Sequence, residues 1–248
     1  MAAPSNRLED RTAIVTGASS GIGAATCRKL ASEGASVVLA ARSRDRLESL
    51  SEELEADHGV ETLVIPTDVR EESQVDALIE ETVEAFGGFD ILVNNAGLAR
   101  GHEVAELSTE EYETMQETNV DGVFYATRAA IPHVSEREGH LIFVGSFAGQ
   151  YPRPFNPVYA ATKWWVRGFA KSVAAQVGDA GVGVTIVNPS EVRSEFETTD
   201  GDTFAERFEE GEVTEPEEIA EAIVFAATRE ASAVSELDLY RRDKFTGF

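Results

Sequence analysis

The stretch Thr12-Ala13-Ile14-Val15-Thr16-Gly17-Ala18-Ser19-Ser20-Gly21-Ile22-Gly23 constrains this chain more than any other. A short apolar run rich in β-branched residues reads as a buried strand. Glycines at 17, 21 and 23 then punctuate the turn into a helix that starts at Ala24. Glycine lets the backbone turn tightly and lets a ligand approach it closely. The free N–H groups at such a helix start suit a pyrophosphate. The spacing is G-x-x-x-G-x-G rather than the commoner G-x-G-x-x-G. Taken alone, it also fits an ordinary βα turn.

Strand and helix patterns alternate along the whole chain. Strands are expected at 12–17, 36–41, 61–65, 90–94, 139–145, 182–188 and 236–241. Helices are expected at 21–33, 43–57, 71–86, 108–134, 157–177 and 215–229. Such alternation implies a Rossmann-like, doubly wound parallel sheet of seven strands with helices on both faces. The 248 residues show no repeat, linker or second core, so one α/β domain over 1–248 is expected. No run reaches the roughly 18 apolar residues of a membrane span. Residues Met1 to Asn6 lack an apolar signal region, so a cytoplasmic protein is expected. The single cysteine, Cys27, excludes an internal disulfide and reads as packing on the first helix.

Charge excludes a further class. Forty-five acidic residues against 21 basic ones give a formal net charge of −24. Nucleic-acid binding needs the opposite sign. The carboxylates are spread over the helices, as in Glu52-Glu53, Glu71-Glu72, Glu110-Glu111 and Glu217-Glu218. That distribution favours adaptation to high salt over an acidic partner surface, because salt screens the self-repulsion. A halophilic source is therefore expected.

Tyr159 and Lys163 stand four residues apart, which on a helix places phenol and ammonium on one face. A lysine beside a tyrosine favours the phenolate and lowers its pKa from about 10. The pair could then exchange a proton with an alcohol or carbonyl oxygen. Alone, the spacing also fits an amphipathic helix surface.

Together these segments resemble the short-chain dehydrogenase/reductase family over nearly the whole length. Thr16 to Gly23 resembles its cofactor motif, and Asn94-Asn95-Ala96-Gly97 its central-strand motif. Asn119, Ser146, Tyr159 and Lys163 match its catalytic tetrad, and Asn188-Pro189 its Asn-Pro-Gly turn. The resemblance implies an oxidoreductase that uses a nicotinamide cofactor. Gly17, Ser19, Ser20, Gly21, Ile22 and Gly23 would hold its pyrophosphate. Asp68 and Val69 would meet the adenine, although Asp68 would also serve as a helix cap. Asn95, Ala96, Gly97, Pro189 and Val192 would line the rest, with Val192 at the carboxamide.

Cofactor choice is written after the second strand. An NAD-selective site places an acidic residue there. This chain has Ala41 followed by Arg42 and Ser43. A guanidinium matches a 2′-phosphate in shape and charge. NADP(H) is therefore expected, unless Arg42 is only a solvated residue at the helix start.

Within the resemblance, Tyr159 is the general acid/base, Ser146 orients the substrate oxygen, and Lys163 holds the nicotinamide ribose. Asn119 anchors a water leading protons from Lys163 to solvent. Read singly, Asn119 and Ser146 would be capping or turn residues. The expected reaction interconverts a small ketone or 3-oxo compound and its secondary alcohol. A serine or 3-hydroxy acid dehydrogenase, a 3-oxoacyl reductase, and a non-catalytic NADPH-binding regulator stay open. Two departures bear on this: Ser190 replaces the glycine after Pro189, and the ending Leu237 to Arg242 lacks Val-Asp-Gly-Gly. Phe147, Ala148, Gln150, Tyr151 and the loop Arg193 to Gly211 would line the substrate pocket, the loop as a lid carrying a short helix. Arg153 or Arg193 would pair a substrate carboxylate or else nearby glutamates. No metal site is expected, since His58, His102, His133 and His140 are scattered and read as exposed. A homotetramer built on helices 108–134 and 157–177 is expected, with Trp164 and Trp165 at interface or core.

Overall fold

The inner strands of the sheet are largely apolar on both faces, which suits a parallel sheet covered by helices on each side. In the computed structural model, residues 6–100, 103–196 and 201–246 are described. The N-terminal residues 1–5, His102 and residues 197–200 of the expected lid lie outside them. The strands are β1 (Thr12–Thr16), β2 (Ser36–Ala41), β3 (Thr62–Pro66), β4 (Ile91–Asn94), β5 (His140–Val144), β6 (Gly183–Pro189) and β7 (Glu236–Leu239). They form one seven-stranded sheet in the order β3-β2-β1-β4-β5-β6-β7. All six pairings are parallel. The chain winds outward from β1 to β3 and then crosses back to β4. The order therefore reverses between β1 and β4, where doubly wound sheets open a crevice at their carboxyl ends.

Alternate side chains divide the core. On one face Val15, Val37, Leu39 and Val93 meet α1 (Gly21–Ser32), α2 (Arg44–His58) and α8 (Pro216–Ala227) through Cys27, Leu30, Leu47, Leu54 and Ile223. Cys27 is thus a buried packing residue. On the other face Ile14, Val38, Leu92 and Phe143 meet α3 (Glu72–Phe86), α5 (Gly122–Glu136) and α6 (Pro157–Val177) through Leu78, Ala126, Val166 and Ala170.

Three expectations need correction. The helix expected over 108–134 is broken: α4 (Thr109–Gln116) leads through a π-helical turn at Glu117–Asp121 into α5. Tertiary packing accompanies the break, because a Cβ on Gly122 would lie 2.8 Å from Val69 Cγ2. Such π turns are frequent at functional sites, and this one carries Asn119. Next, β7 stops at Leu239, and residues 241–246 turn back over the loop after β5. Finally, His133 and His140 are half-buried rather than exposed, and burial holds His140 below its ordinary pKa. No helix among the described residues is long and apolar enough to cross a membrane.

Candidate active site

The turn after β1 is built by close backbone approach. Gly17 has φ +66°, and a Cβ there would lie 2.9 Å from Asn95 Nδ2. A Cβ on Gly23 would lie 2.1 Å from the Gly17 carbonyl oxygen, so Gly23 seats α1 against the turn from behind. Ser20, the N-cap of α1, makes no side-chain capping bond, and the first turn of α1 holds no acidic residue. In this acidic chain α3, α4 and α8 all carry glutamates there. The first-turn amides of α1 thus face the cleft with neither a serine cap nor a repelling carboxylate, a setting that fits a phosphate.

Asn95 staples the two strands that border the crevice. Its Nδ2 donates to the carbonyls of Thr16 (2.9 Å) and Gly17 (3.2 Å). The Thr16 hydroxyl accepts from Asn95 N and Ala96 N at 3.1 Å each. Thr16, which opens the glycine motif, is a site-building residue that the expected cofactor contacts leave out.

One cleft gathers most of the expected residues. It is lined by Gly17 and Ser19 to Ile22, Arg42 and Ser43, Asp68 and Val69, Asn95 to Gly97, Ser146, Tyr159, Lys163, Pro189 and Val192. Gly23 and Asn119 stand behind its wall. Arg42 and Ser43 are exposed at one end, whereas Asp68 is clamped by Arg70, whose Nη2 lies 2.6 Å from Asp68 Oδ2. Asp68 is not the cap of α3, a place taken by Glu71.

At the other end stands the tetrad. Asn156 caps α6 by accepting from Tyr159 N at 3.3 Å, with Pro157 opening the helix. This fixes Tyr159 on the first turn and Lys163 one turn later. Lys163 is buried; its Nζ donates to the Val144 carbonyl at 2.9 Å and lies 5.9 Å from the Tyr159 ring centroid. Burial lowers the Lys163 ammonium to about 8. Burial also raises the Tyr159 phenol above its usual 10, opposed by the polar Ser146 hydroxyl and by the charge of Arg153. The expected lowering by Lys163 is therefore not the dominant effect here: both groups are pushed toward their neutral forms by lost hydration.

Asn119 is fully engaged. Its Oδ1 accepts from Leu98 N at 2.9 Å, and its Nδ2 donates to Leu98 O at 2.8 Å and Thr162 Oγ1 at 3.1 Å. Thr162 Oγ1 donates in turn to the Tyr159 carbonyl at 2.7 Å. Asn119 thus ties the π turn to the loop after β4 and to the helix of Tyr159.

The expected substrate wall is corrected. Phe147, Ala148, Gln150 and Tyr151 do not line the cleft. Phe147 stacks on Tyr151 at 4.4 Å and meets Tyr240 edge-on at 5.2 Å. Gln150 donates to Glu236 (3.0 Å) and Asp238 (2.7 Å) and accepts from the Tyr240 hydroxyl at 2.7 Å. The C-terminal residues had claimed that surface. The cleft is instead walled by Leu98, Ala99, Arg100, Thr114 and Thr118, with Phe196 and Phe204 of the loop after β6. Phe196 lies 6.0 Å from the Tyr159 ring and stacks on Phe204, which opens α7 (Phe204–Arg207), the short helix expected in that loop. Arg153 and Arg193 are taken by glutamates, at 3.7 Å from Glu191 and 3.1 Å from Glu215. Among the described residues no cluster of His, Cys, Asp and Glu could hold a metal ion.

Comparison with known proteins agrees with this arrangement. The short chain dehydrogenase family model matches residues 11–203. A Staphylococcus aureus protein described as an uncharacterized oxidoreductase is 35% identical over 223 residues, 90% of this chain and 93% of that one. The crystal structure of an alcohol dehydrogenase from the archaeon Thermococcus sibiricus, complexed with 5-hydroxy-NADP, superposes with TM-score 0.88 at 30% identity, covering 96% of this chain and 99% of that one. A closed serine dehydrogenase complexed with NADP+ gives TM-score 0.86 at 32% identity, covering 96% and 98%. Fold, motifs and relatives converge, and the chain belongs to the short chain dehydrogenase family of oxidoreductases.

Proposed function

We propose that this protein is a cytoplasmic NADP(H)-dependent oxidoreductase that interconverts a small neutral ketone or 3-oxo compound and its secondary alcohol, with Tyr159 as general acid and base. One observation carries the reading: a single cleft joins the glycine turn, Arg42 and the Ser146–Tyr159–Lys163 group.

The cleft residues fit the cofactor. The bare α1 amides with Gly17, Ser19, Gly21 and Ile22 would hold the pyrophosphate, and Arg42 with Ser43 the 2′-phosphate. Ala41 leaves no carboxylate there to repel it. Asp68 and Val69 would border the adenine, Lys163 the nicotinamide ribose, and Pro189 and Val192 the carboxamide. The bound nicotinamide supplies or accepts the hydride. Tyr159 gives its proton to the carbonyl oxygen as that oxygen gains charge, and takes it back in alcohol oxidation. Ser146 holds the same oxygen in place. Burial brings the Lys163 ammonium down to about 8, so it gives up a proton more readily than an exposed lysine. Phe196 and Phe204 present an apolar surface beside Tyr159, and the pairing of Arg153 and Arg193 favours a neutral substrate.

A 3-hydroxy acid substrate is the second reading. It is favoured by the likeness to the serine dehydrogenase. Exposed Phe124 on α5 and Trp164 on α6 support self-association through those helices, as in a tetramer, while Trp165 stacks inward on Phe169. Initial rates of NADPH and NADH oxidation, in molar salt, with neutral ketones, 2-carbonyl compounds and 3-oxo acids test the proposal. Preference for NADPH with a neutral ketone is expected. Tight NADPH binding without turnover would favour a regulator.

A further inference from the structure

The face of α6 that carries Tyr159 and Lys163 continues at the same four-residue spacing through Arg167 and Lys171. The last two grip one carboxylate of β7. Glu236 accepts from Arg167 Nε at 2.6 Å and Arg167 Nη2 at 3.1 Å, and Lys171 Nζ lies 3.0 Å from it. It also accepts from Asn188 Nδ2 at 2.8 Å and Gln150 Nε2 at 3.0 Å. Asp238, two residues along the strand, shares both amides, at 2.9 Å from Asn188 and 2.7 Å from Gln150. Hydrogen bonds led by that of Arg167 hold the Glu236 carboxyl at about 2, against the opposing effect of burial.

Both amides bear on the turn that begins at Ser146. Asn188 is buried beneath the residue before it: a Cβ on Gly145 would run into Asn188 Oδ1. Gln150 closes the turn, its N donating to Phe147 O at 3.1 Å. Between them Gly149 lies against α6, where a Cβ would come within 2.8 Å of Lys163 O. Inside the turn Gly149 N donates to Ser146 O at 2.8 Å, and Ala148 N to Ser146 Oγ at 3.1 Å. The second bond uses a lone pair of the hydroxyl and leaves its proton for an acceptor in the cleft.

We propose that Glu236 is a positioning residue for Ser146: through Gln150 and Asn188 it holds the Ser146 turn, and through Arg167 and Lys171 it keeps that turn in register with the helix of Tyr159. Each segment it grips carries a cleft residue. Ser146 stands four residues before Gln150, Lys163 four before Arg167, and Pro189 directly after Asn188. Glu236 itself does not line the cleft, so it acts through these neighbours. A carboxylate suits the task, because it only accepts and offers about four lone-pair sites.

The inference rests on the role proposed for Ser146, and its test separates the two. An amide at 236 would turn one end of the hub into a donor facing donors. With the panel compound that the parent reduces fastest, Glu236→Gln should lower kcat roughly tenfold and leave Kd for NADPH within about twofold. Gln150→Leu cuts the link to the turn and leaves Arg167 and Lys171 on Glu236. It should lower kcat in the same way, and it decides the matter where Glu236→Gln does not fold. Each substitution is then repeated on Ser146→Ala, where it should change the residual kcat by less than about twofold. A folding defect would subtract equally from both backgrounds. Equal losses with and without Ser146, or parental kcat in both variants, overturn the inference. Undiminished reduction by Ser146→Ala would instead overturn the role of Ser146 itself, and no turnover by the parent on the whole panel would overturn the reading of the site.

Discussion

Arg46 of α2 and Glu195 of the loop after β6 meet at 2.5 Å across the mouth of the cleft, 149 residues apart in sequence. The pair latches the aromatic loop to the helix that follows Arg42. Both side chains are more than half exposed, so the contact is modest and salt-sensitive. Glu195→Gln should speed NADPH release by about two- to fivefold at low salt. Stopped-flow fluorescence in molar salt should show the difference vanish.

Arg42 makes no ion pair among the described residues, unlike Arg44 with Glu48 and Arg46 with Glu195. Its guanidinium is therefore available to a phosphate. Arg42→Ala should raise KM for NADPH by about 10- to 100-fold, the worth of a charge-assisted contact. KM for NADH should stay nearly constant. Steady-state kinetics with both cofactors check this.

Lys163 is held near 8 in the folded chain against an ordinary 10.5. Between those values the unfolded chain binds more proton, so its contribution to stability rises with pH from 8 to 10.5 and is unfavourable below 8. Lys163→Met removes that burden. It should stabilise the fold by roughly 2–3 kcal/mol near neutrality while abolishing turnover. The gain should shrink as pH rises toward 10.5. Urea unfolding at several pH values measures it.

Gly23 allows no side chain, because a Cβ would meet the Gly17 carbonyl oxygen at 2.1 Å. Neither partner can yield without opening the turn. Gly23→Ala should cost about 3 kcal/mol and abolish NADPH binding. Gly59, whose Cβ would meet nothing within 4 Å, is the control position for added bulk, though its φ of +68° carries its own strain. Thermal unfolding and cofactor titration compare the two.

The net charge of −24 predicts a steep dependence on salt. Melting temperature should climb from millimolar to molar potassium chloride as like-charge repulsion is screened. A melting temperature independent of salt would remove the case for halophilic adaptation.

Local signals made the strand and helix order readable. Runs such as Val37-Val38-Leu39 and the glycines at 17, 21 and 23 act within a few residues, so periodicity exposes them. The cleft residues Gly17, Arg42, Ser146 and Tyr159 were legible for the same reason, through short motifs. The π turn at Glu117–Asp121 was not, because it accompanies the contact between Gly122 and Val69 rather than any local pattern. The seat of Gln150 is not legible locally, because its partners, Glu236, Asp238 and Tyr240, lie 86 to 90 residues away. The Tyr159 phenol was expected to fall because a neighbouring lysine is visible in sequence, whereas the burial that opposes it is not.

The central claim is that Tyr159 moves the proton in a reaction driven by NADP(H). The most direct test is the rate of ketone reduction by the parent protein and Tyr159→Phe, with NADPH binding measured on both in molar salt. The account predicts that the variant binds NADPH with nearly parental affinity and loses a factor of about a hundred or more in kcat. Parental turnover by Tyr159→Phe would contradict it.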